Sequence, residues 1–142
     1  MTLHHKREVS FIFISPPKYK VVIKMKKILI VDDETLIRDG LKITLELEGY
    51  EVEIAEDGRE AVKMVEIFKP DVIVTDIIMP EKDGIELILE LRSTNRDIKI
   101  IAISGGGRIS AKDHLRIASK LGANIILTKP FTAKELITEI EK

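Results

Sequence analysis

Short runs of aliphatic and β-branched residues recur five times along this chain, and a stretch of helical periodicity follows each of them. The runs are Ile28–Val31, Tyr50–Ala55, Val72–Val74, Ile98–Ile103 and Ile125–Leu127. No other feature restricts the fold as much. Consecutive strands joined through a helix pair in parallel, whereas a hairpin would need only a tight turn. A parallel sheet is covered by helices on both faces, so its strands read as unbroken apolar runs. The pattern therefore predicts α/β architecture with a doubly wound five-stranded parallel sheet. The central run, Asp71–Pro80, reaches the carboxylate of Asp76 before Pro80 forbids further pairing. Ligands of open parallel sheets bind at the carboxyl ends of the strands, which makes Asp76 a site candidate.

The intervening helices carry start and stop signals. One runs from about Leu36 to Glu48 and stops at Gly49. Asp57 occupies the N-cap position of the next, in which Ala61, Val62, Val65 and Phe68 form an apolar stripe that Pro70 closes. A third spans about Gly84 to Arg92, and a fourth runs from about Ala111 to Leu121 before Gly122. Thr132 and Glu135 make the Thr-x-x-Glu of a capping box at the start of the last helix. Residues 1–24 break the pattern. Ser15-Pro16-Pro17 blocks helix and strand alike, so this segment reads as an N-terminal extension with one loose strand, and 25–142 as the domain proper.

Composition narrows the chemistry. A chain of 142 residues, 44% of them hydrophobic, accommodates one such domain with a real core. Cysteine is absent, which excludes disulfides, thiol catalysis and cysteine-ligated zinc. A net charge of -1 without a basic stripe argues against nucleic acid as a direct partner. No apolar run approaches the roughly 20 residues that cross a bilayer, so no membrane contact and a cytoplasmic location are expected.

Polar residues collect where the strands end. Asp32 and Asp33 follow the first strand, Asp76 the third, Ser104 the fourth and Lys129 the fifth. Parallel strands bring all these ends to one rim. Taken singly, each has an ordinary explanation: an acidic run favours a helix N-terminus, Ser104 before Gly105-Gly106-Gly107 suits a turn, and Lys129 suits a surface. Taken together, three acids, a hydroxyl and an ammonium describe a charged site. Neighbouring carboxylates repel unless a cation neutralises them. With His4, His5 and His114 as the only histidines, a hard divalent cation with oxygen ligands, Mg²⁺, is the natural choice. Lys129 adds a second positive charge beside Asp76. The Asp76 carboxylate can then act as a nucleophile toward a phosphoryl group, with Ser104 hydrogen-bonding one of its oxygens.

The segments Ile-Leu-Ile-Val-Asp-Asp-Glu (28–34), Val-Thr-Asp-Ile-Ile-Met-Pro-Glu-Lys-Asp-Gly (74–84) and Thr-Lys-Pro-Phe (128–131) strongly resemble the receiver domain of bacterial two-component response regulators. The resemblance covers about Lys26 to Lys142. It implies a flavodoxin-like (βα)5 receiver fold and a phosphorylation-activated signalling switch. Asp76 would be the phosphoacceptor, and Asp32 and Asp33 the acidic pair that holds Mg²⁺ together with Asp76 and the backbone carbonyl of Ile78. Ser104 falls at the switch hydroxyl position and Lys129 at the phosphoryl-binding lysine, followed by a proline that takes a cis bond in this family. The implied donor is a phosphohistidine on a sensor histidine kinase or a histidine phosphotransfer protein. One position departs from the pattern: Ile126 stands where the family usually has an aromatic residue. A coupling of Ser104 to an aromatic rotamer has no partner here.

On this reading the chain is a stand-alone receiver. It is not an independent enzyme but a phosphoacceptor that assists its own phosphoryl transfer and dephosphorylation. Its donor is expected beside the first helix. A downstream protein target, or self-association, is expected at the face formed by the fourth helix, fifth strand and fifth helix. Three alternatives fit less well. An aspartyl-nucleophile hydrolase resembles Asp-x-Asp-x-Thr after the first strand, and Asp32-Asp33-Glu34-Thr35 has the wrong spacing. A nucleotide-binding domain wants a phosphate-cradling loop in the place that these acids occupy. A phosphorylation-independent pseudo-receiver is the remaining rival, and it usually lacks rim residues that are all present here.

Overall fold

The computed structural model describes residues 8–12, 20–77, 79, 83–94, 97–105 and 111–142. β1 (Glu8–Ile12) and β2 (Lys20–Lys24) come first. Then follow β3 (Lys27–Val31), α1 (Thr35–Leu47), β4 (Glu51–Ala55), α2 (Gly58–Phe68), β5 (Val72–Asp76) and α3 (Gly84–Thr94). The chain continues through β6 (Lys99–Ser104), α4 (Ala111–Leu121), β7 (Ile125–Thr128) and α5 (Ala133–Glu141). No helix among the described residues is long and apolar enough to cross a membrane.

The sheet has the order β4-β3-β5-β6-β7, and every pairing in it is parallel. The chain moves outward from β3 to β4, then crosses back to β5 and proceeds the other way. A crevice therefore opens above the ends of β3 and β5, the two strands at which the winding reverses. β5 is the innermost of the five, and all its residues are buried. That burial is why Val72–Val74 reads as a continuous apolar run.

Two cores sandwich the sheet. On one face Leu29, Ile73, Ile100 and Ala102 pack with Ala61 of α2 and with Leu87, Ile88 and Leu91 of α3. On the other, Ile28, Ile30, Val74 and Ile101 pack with Leu45 of α1 and with Leu136 and Ile140 of α5. Each such aliphatic side chain contributes about 1.5–3 kcal/mol when fully buried. The helix ends follow their local signals. The Asp57 carboxylate accepts the Glu60 N–H at 2.8 Å, and Thr132 and Glu135 form the reciprocal capping box. Gly49, just beyond α1, takes the positive φ of +97° that glycine adopts without strain.

The expectation of one loose strand before residue 25 is corrected. There are two, paired antiparallel from Glu8 opposite Lys24 to Ile12 opposite Lys20. The apolar stretches on either side of Ser15-Pro16-Pro17 are close enough in sequence to pair with each other, and the prolines lie between them, outside the described residues.

Candidate functional site

β3 and β5 are neighbours, so the acids at their carboxyl ends converge. One carboxylate oxygen each from Asp32, Asp33 and Asp76 lies within 4.8 Å of the others. Asp32 is 2% exposed and Asp76 7%, while Asp33 is exposed. The Asp32 N–H donates to the Ala55 carbonyl at 3.2 Å, continuing the β3–β4 ladder by one bond. Its Oδ1 accepts the Glu34 N–H at 2.9 Å, which sets the rotamer. Burial pushes the Asp32 carboxyl above the ordinary range, against the Glu34 N–H, and the charge of Asp76 adds to the rise more than Lys129 removes.

Lys129 enters the rim from the end of β7. Its N–H donates to the Ser104 carbonyl at 2.9 Å, and a cis peptide bond joins it to Pro130, as the family resemblance implies. The ammonium stands 3.4 Å from Asp76 Oδ2, 3.9 Å from Asp32 Oδ2 and 3.8 Å from Glu34 Oε1. Burial alone would lower its pKa, but the charges of Asp76 and Asp32 outweigh burial and hold it above the ordinary lysine value. Its stem crosses Gly105, where a Cβ would fall 2.6 Å from Lys129 Cδ. Ser104 is buried beside it, and its Oγ has no hydrogen-bond partner among the described residues. An unsatisfied buried hydroxyl costs about 1–3 kcal/mol.

The rim thus unites Asp32, Asp33, Asp76 and Lys129, and adds a hydroxyl with no bond among the described residues. Ile78 lies outside the described residues, so its carbonyl has no place in this geometry. Ile126 is half-buried, sits opposite Ala102 in the β6–β7 register and packs against the core beneath α2 and α3. Three contributors escaped the sequence reading. Glu34 belongs to the first motif but had no role assigned, and it faces Lys129. Arg38 donates to the Asp32 carbonyl at 3.0 Å. Gly84 touches the main chain of Asp76, and the sequence signal for it is a glycine at the first position of a helix.

The donor set fits a hard divalent cation. It consists of carboxylate oxygens alone, three of them within 4.8 Å of one another. The orphaned Ser104 hydroxyl has a donor to spare for a further oxygen ligand.

Comparison with known proteins bears directly on this arrangement. A family model, the response regulator receiver domain, matches residues 28–141. The chain belongs to this family. Receiver domains are the phosphorylation-activated switches of two-component signalling, and residues 28–141 form one of them. Response regulator MprA of Mycobacterium leprae is 40% identical over 115 residues, which cover 80% of this chain and 49% of that protein. MprA of Mycolicibacterium vanbaalenii is 38% identical over 115 residues, 80% of this chain and 48% of that protein. The chain spans about half the length of these curated relatives. The crystal structure of a CheY-like response regulator receiver domain protein from Methanospirillum hungatei matches with a TM-score of 0.76 at 32% identity, covering 82% of this chain and 91% of that one. Vibrio cholerae chemotaxis protein CheY4 matches with a TM-score of 0.73 at 34% identity, covering 82% and 97%.

The receiver domain's charge balance has a measurable consequence. A carboxyl whose pKa is raised in the folded state binds its proton more tightly there than in the unfolded chain. Its contribution to stability is complete below the unfolded pKa, near 3.8, and is lost as pH rises through the folded value. Asp32→Asn, which keeps a carbonyl oxygen for the Glu34 N–H, removes that loss. At pH 7 without divalent cations the variant is expected to be more stable than wild type, with a higher unfolding midpoint. The difference should shrink toward pH 4 and when Mg²⁺ is added to wild type. A variant less stable than wild type at pH 7 without metal would contradict this charge balance.

Proposed function

We propose that residues 25–142 form a phosphoacceptor switch in which Asp76 takes a phosphoryl group from a phosphohistidine on a sensor histidine kinase or histidine phosphotransfer protein. Residues 1–24 are an appendage to that unit. A carboxylate oxygen of Asp76 forms the new bond to phosphorus while the donor's P–N bond breaks, and the leaving imidazole regains a proton. Lys129 holds its ammonium against the incoming phosphoryl oxygens, and Ser104 donates its unused hydroxyl to one of them. Asp32, Asp33 and Asp76 would hold Mg²⁺, with the Ile78 carbonyl as the further ligand that the family resemblance implies. When bound, the ion would offset the negative charge of the phosphoryl oxygens. The chain assists its own phosphorylation and dephosphorylation and is not an independent enzyme.

The observation that carries this reading is the ammonium of Lys129 placed 3.4 Å from a buried carboxylate at the centre of an acid cluster. A surface beside it supports donor docking there. Leu36, Ile43 and Leu47 lie exposed along one side of α1, and Leu36, Ile37 and Leu41 line a groove of about 540 Å³ with Lys129, Pro130 and Phe131. The output surface on this reading is the face of α4, β7 and α5, next to the strands β6 and β7 whose ends carry Ser104 and Lys129. That face would contact a downstream protein or a second copy. A cytoplasmic donor puts the domain in the cytoplasm, without direct contact to nucleic acid or membrane.

Intact mass spectrometry after incubation with acetyl phosphate tests the reading. One phosphoryl adduct that requires Mg²⁺ and is absent from Asp76→Asn is the expected result. A folded wild-type chain that takes no adduct from acetyl phosphate or from a phosphohistidine donor would favour a binding module that works without phosphorylation.

A further inference from the structure

α1 starts poorly for a helix. Its N-cap residue, Glu34, makes no side-chain cap bond, and no acidic residue stands in its first turn. At the fourth helical position is Arg38, a cation near the positive end of the helix dipole, where negative charge is the stabilising choice. Helix stability does not account for Arg38.

The side chain reaches backward instead. It is half-buried, its Nη1 donates to the Asp32 carbonyl at 3.0 Å, and its Nη2 lies 3.5 Å from Thr35 Oγ1. Asp32 is therefore held at three points: the N–H by Ala55, the carbonyl by Arg38 and Oδ1 by the Glu34 N–H. Two of those bonds run between main-chain groups or to the carboxylate itself. The third depends on a side chain that provides no ligand atom. The bond of Arg38 to Asp32 is to its main-chain carbonyl and not to its carboxylate.

We propose that Arg38 is a positioning residue of the acidic rim. By holding the Asp32 carbonyl it fixes the backbone from which Asp32 and Asp33 present their carboxylates, and it thereby sets the rim's affinity for a divalent cation. This rests on the reading of Asp32, Asp33 and Asp76 as a cation site. Mg²⁺ requires oxygen ligands at about 2.0–2.1 Å in near-octahedral geometry, so a small shift of one ligand-bearing segment is costly. Partners that orient ligands from behind typically govern metal affinity by about 10–100-fold.

Isothermal titration of Mg²⁺ into wild type, Arg38→Met and Arg38→Lys, paired with thermal unfolding with and without Mg²⁺, tests the proposal. Arg38→Met keeps the apolar stem and loses the donors. Its Kd for Mg²⁺ is expected to rise about tenfold or more, and the Mg²⁺-induced rise in its unfolding midpoint to shrink. Arg38→Lys, which retains an N–H donor, should recover part of the affinity. If Arg38→Met does not fold, Arg38→Leu, which likewise has no donor, is measured in its place with the same expectation. A purely structural arginine would lower the metal-free midpoint and leave Kd unchanged, and that result overturns the proposal. A wild-type chain that takes up no Mg²⁺ overturns the cation site itself and the positioning role with it.

Discussion

Replacing Gly84 with alanine is expected to destabilise the domain by about 2–4 kcal/mol, although alanine is the better helix former by about 1 kcal/mol. Sterics decide the sign. A Cβ on Gly84 would lie 2.2 Å from the Asp76 carbonyl oxygen and 2.7 Å from Ile77 Cα. Both are main-chain atoms, so no rotamer change can relieve the clash. The Gly84 N–H also donates to the Ile77 carbonyl at 2.8 Å, which ties the start of α3 to the end of β5. To admit a methyl group α3 must move off that strand end, taking the buried Leu87, Ile88 and Leu91 with it. The unfolding midpoint should fall by roughly 6–15 °C. Phosphoryl uptake from acetyl phosphate should slow in the protein that remains folded, because the displaced carbonyl belongs to Asp76. A midpoint at or above wild type would refute the steric argument.

Arg92→Met should cost about 2–3 kcal/mol without touching the rim. The Arg92 guanidinium donates to the Ile98 carbonyl at 2.7 Å, the Gly122 carbonyl at 2.9 Å and Asn124 Oδ1 at 2.6 Å. It thereby joins the end of α3 to the segments that lead into β6 and β7. Asn124 Oδ1 also accepts the Ile100 N–H at 2.8 Å, so the same group braces the start of the strand pair. Gly122 makes room for the arginine: its φ is +122°, and a Cβ there would fall 2.7 Å from Arg92 Cγ. Lysine cannot replace the planar fork of three donors, and Arg92→Lys should recover less than half of the loss. Amide hydrogen exchange should accelerate in β7 and at its junction with α4. Mg²⁺ affinity should stay at the wild-type value, because these contacts lie at the amino ends of the strands and the acids at their carboxyl ends. A changed Mg²⁺ affinity would show that the two ends are coupled.

Much of the site was legible because it is built from strand ends. Asp32, Asp33, Asp76, Ser104 and Lys129 each directly follow an apolar run, and parallel pairing brings such positions together whatever the details of packing. The switch point sharpened this further by seating β3 beside β5. Gly84 and Arg38 were not legible as site residues. Asp76 lies on a different element from Gly84, and Asp32 lies six residues before Arg38 in the turn that leads into its helix; neither a mid-motif glycine nor a helical arginine announces which main-chain group it meets. The N-terminal pair of strands was half legible. β2 has the β-branched run of a strand, whereas β1 shows itself only through pairing with β2.

The amino-acid sequence on its own determines the alternation of strands and helices, the capping at Asp57 and Thr132, and the identity of the polar residues on the rim. These depend on periodicity and on hydrogen bonds spanning three or four residues. The strand order, the two cores, the steric demand at Gly84, the reach of Arg92, and a Ser104 hydroxyl with no partner among the described residues come from tertiary packing. Each of them pairs groups whose encounter depends on the arrangement of whole elements, and no local pattern of side chains encodes that arrangement.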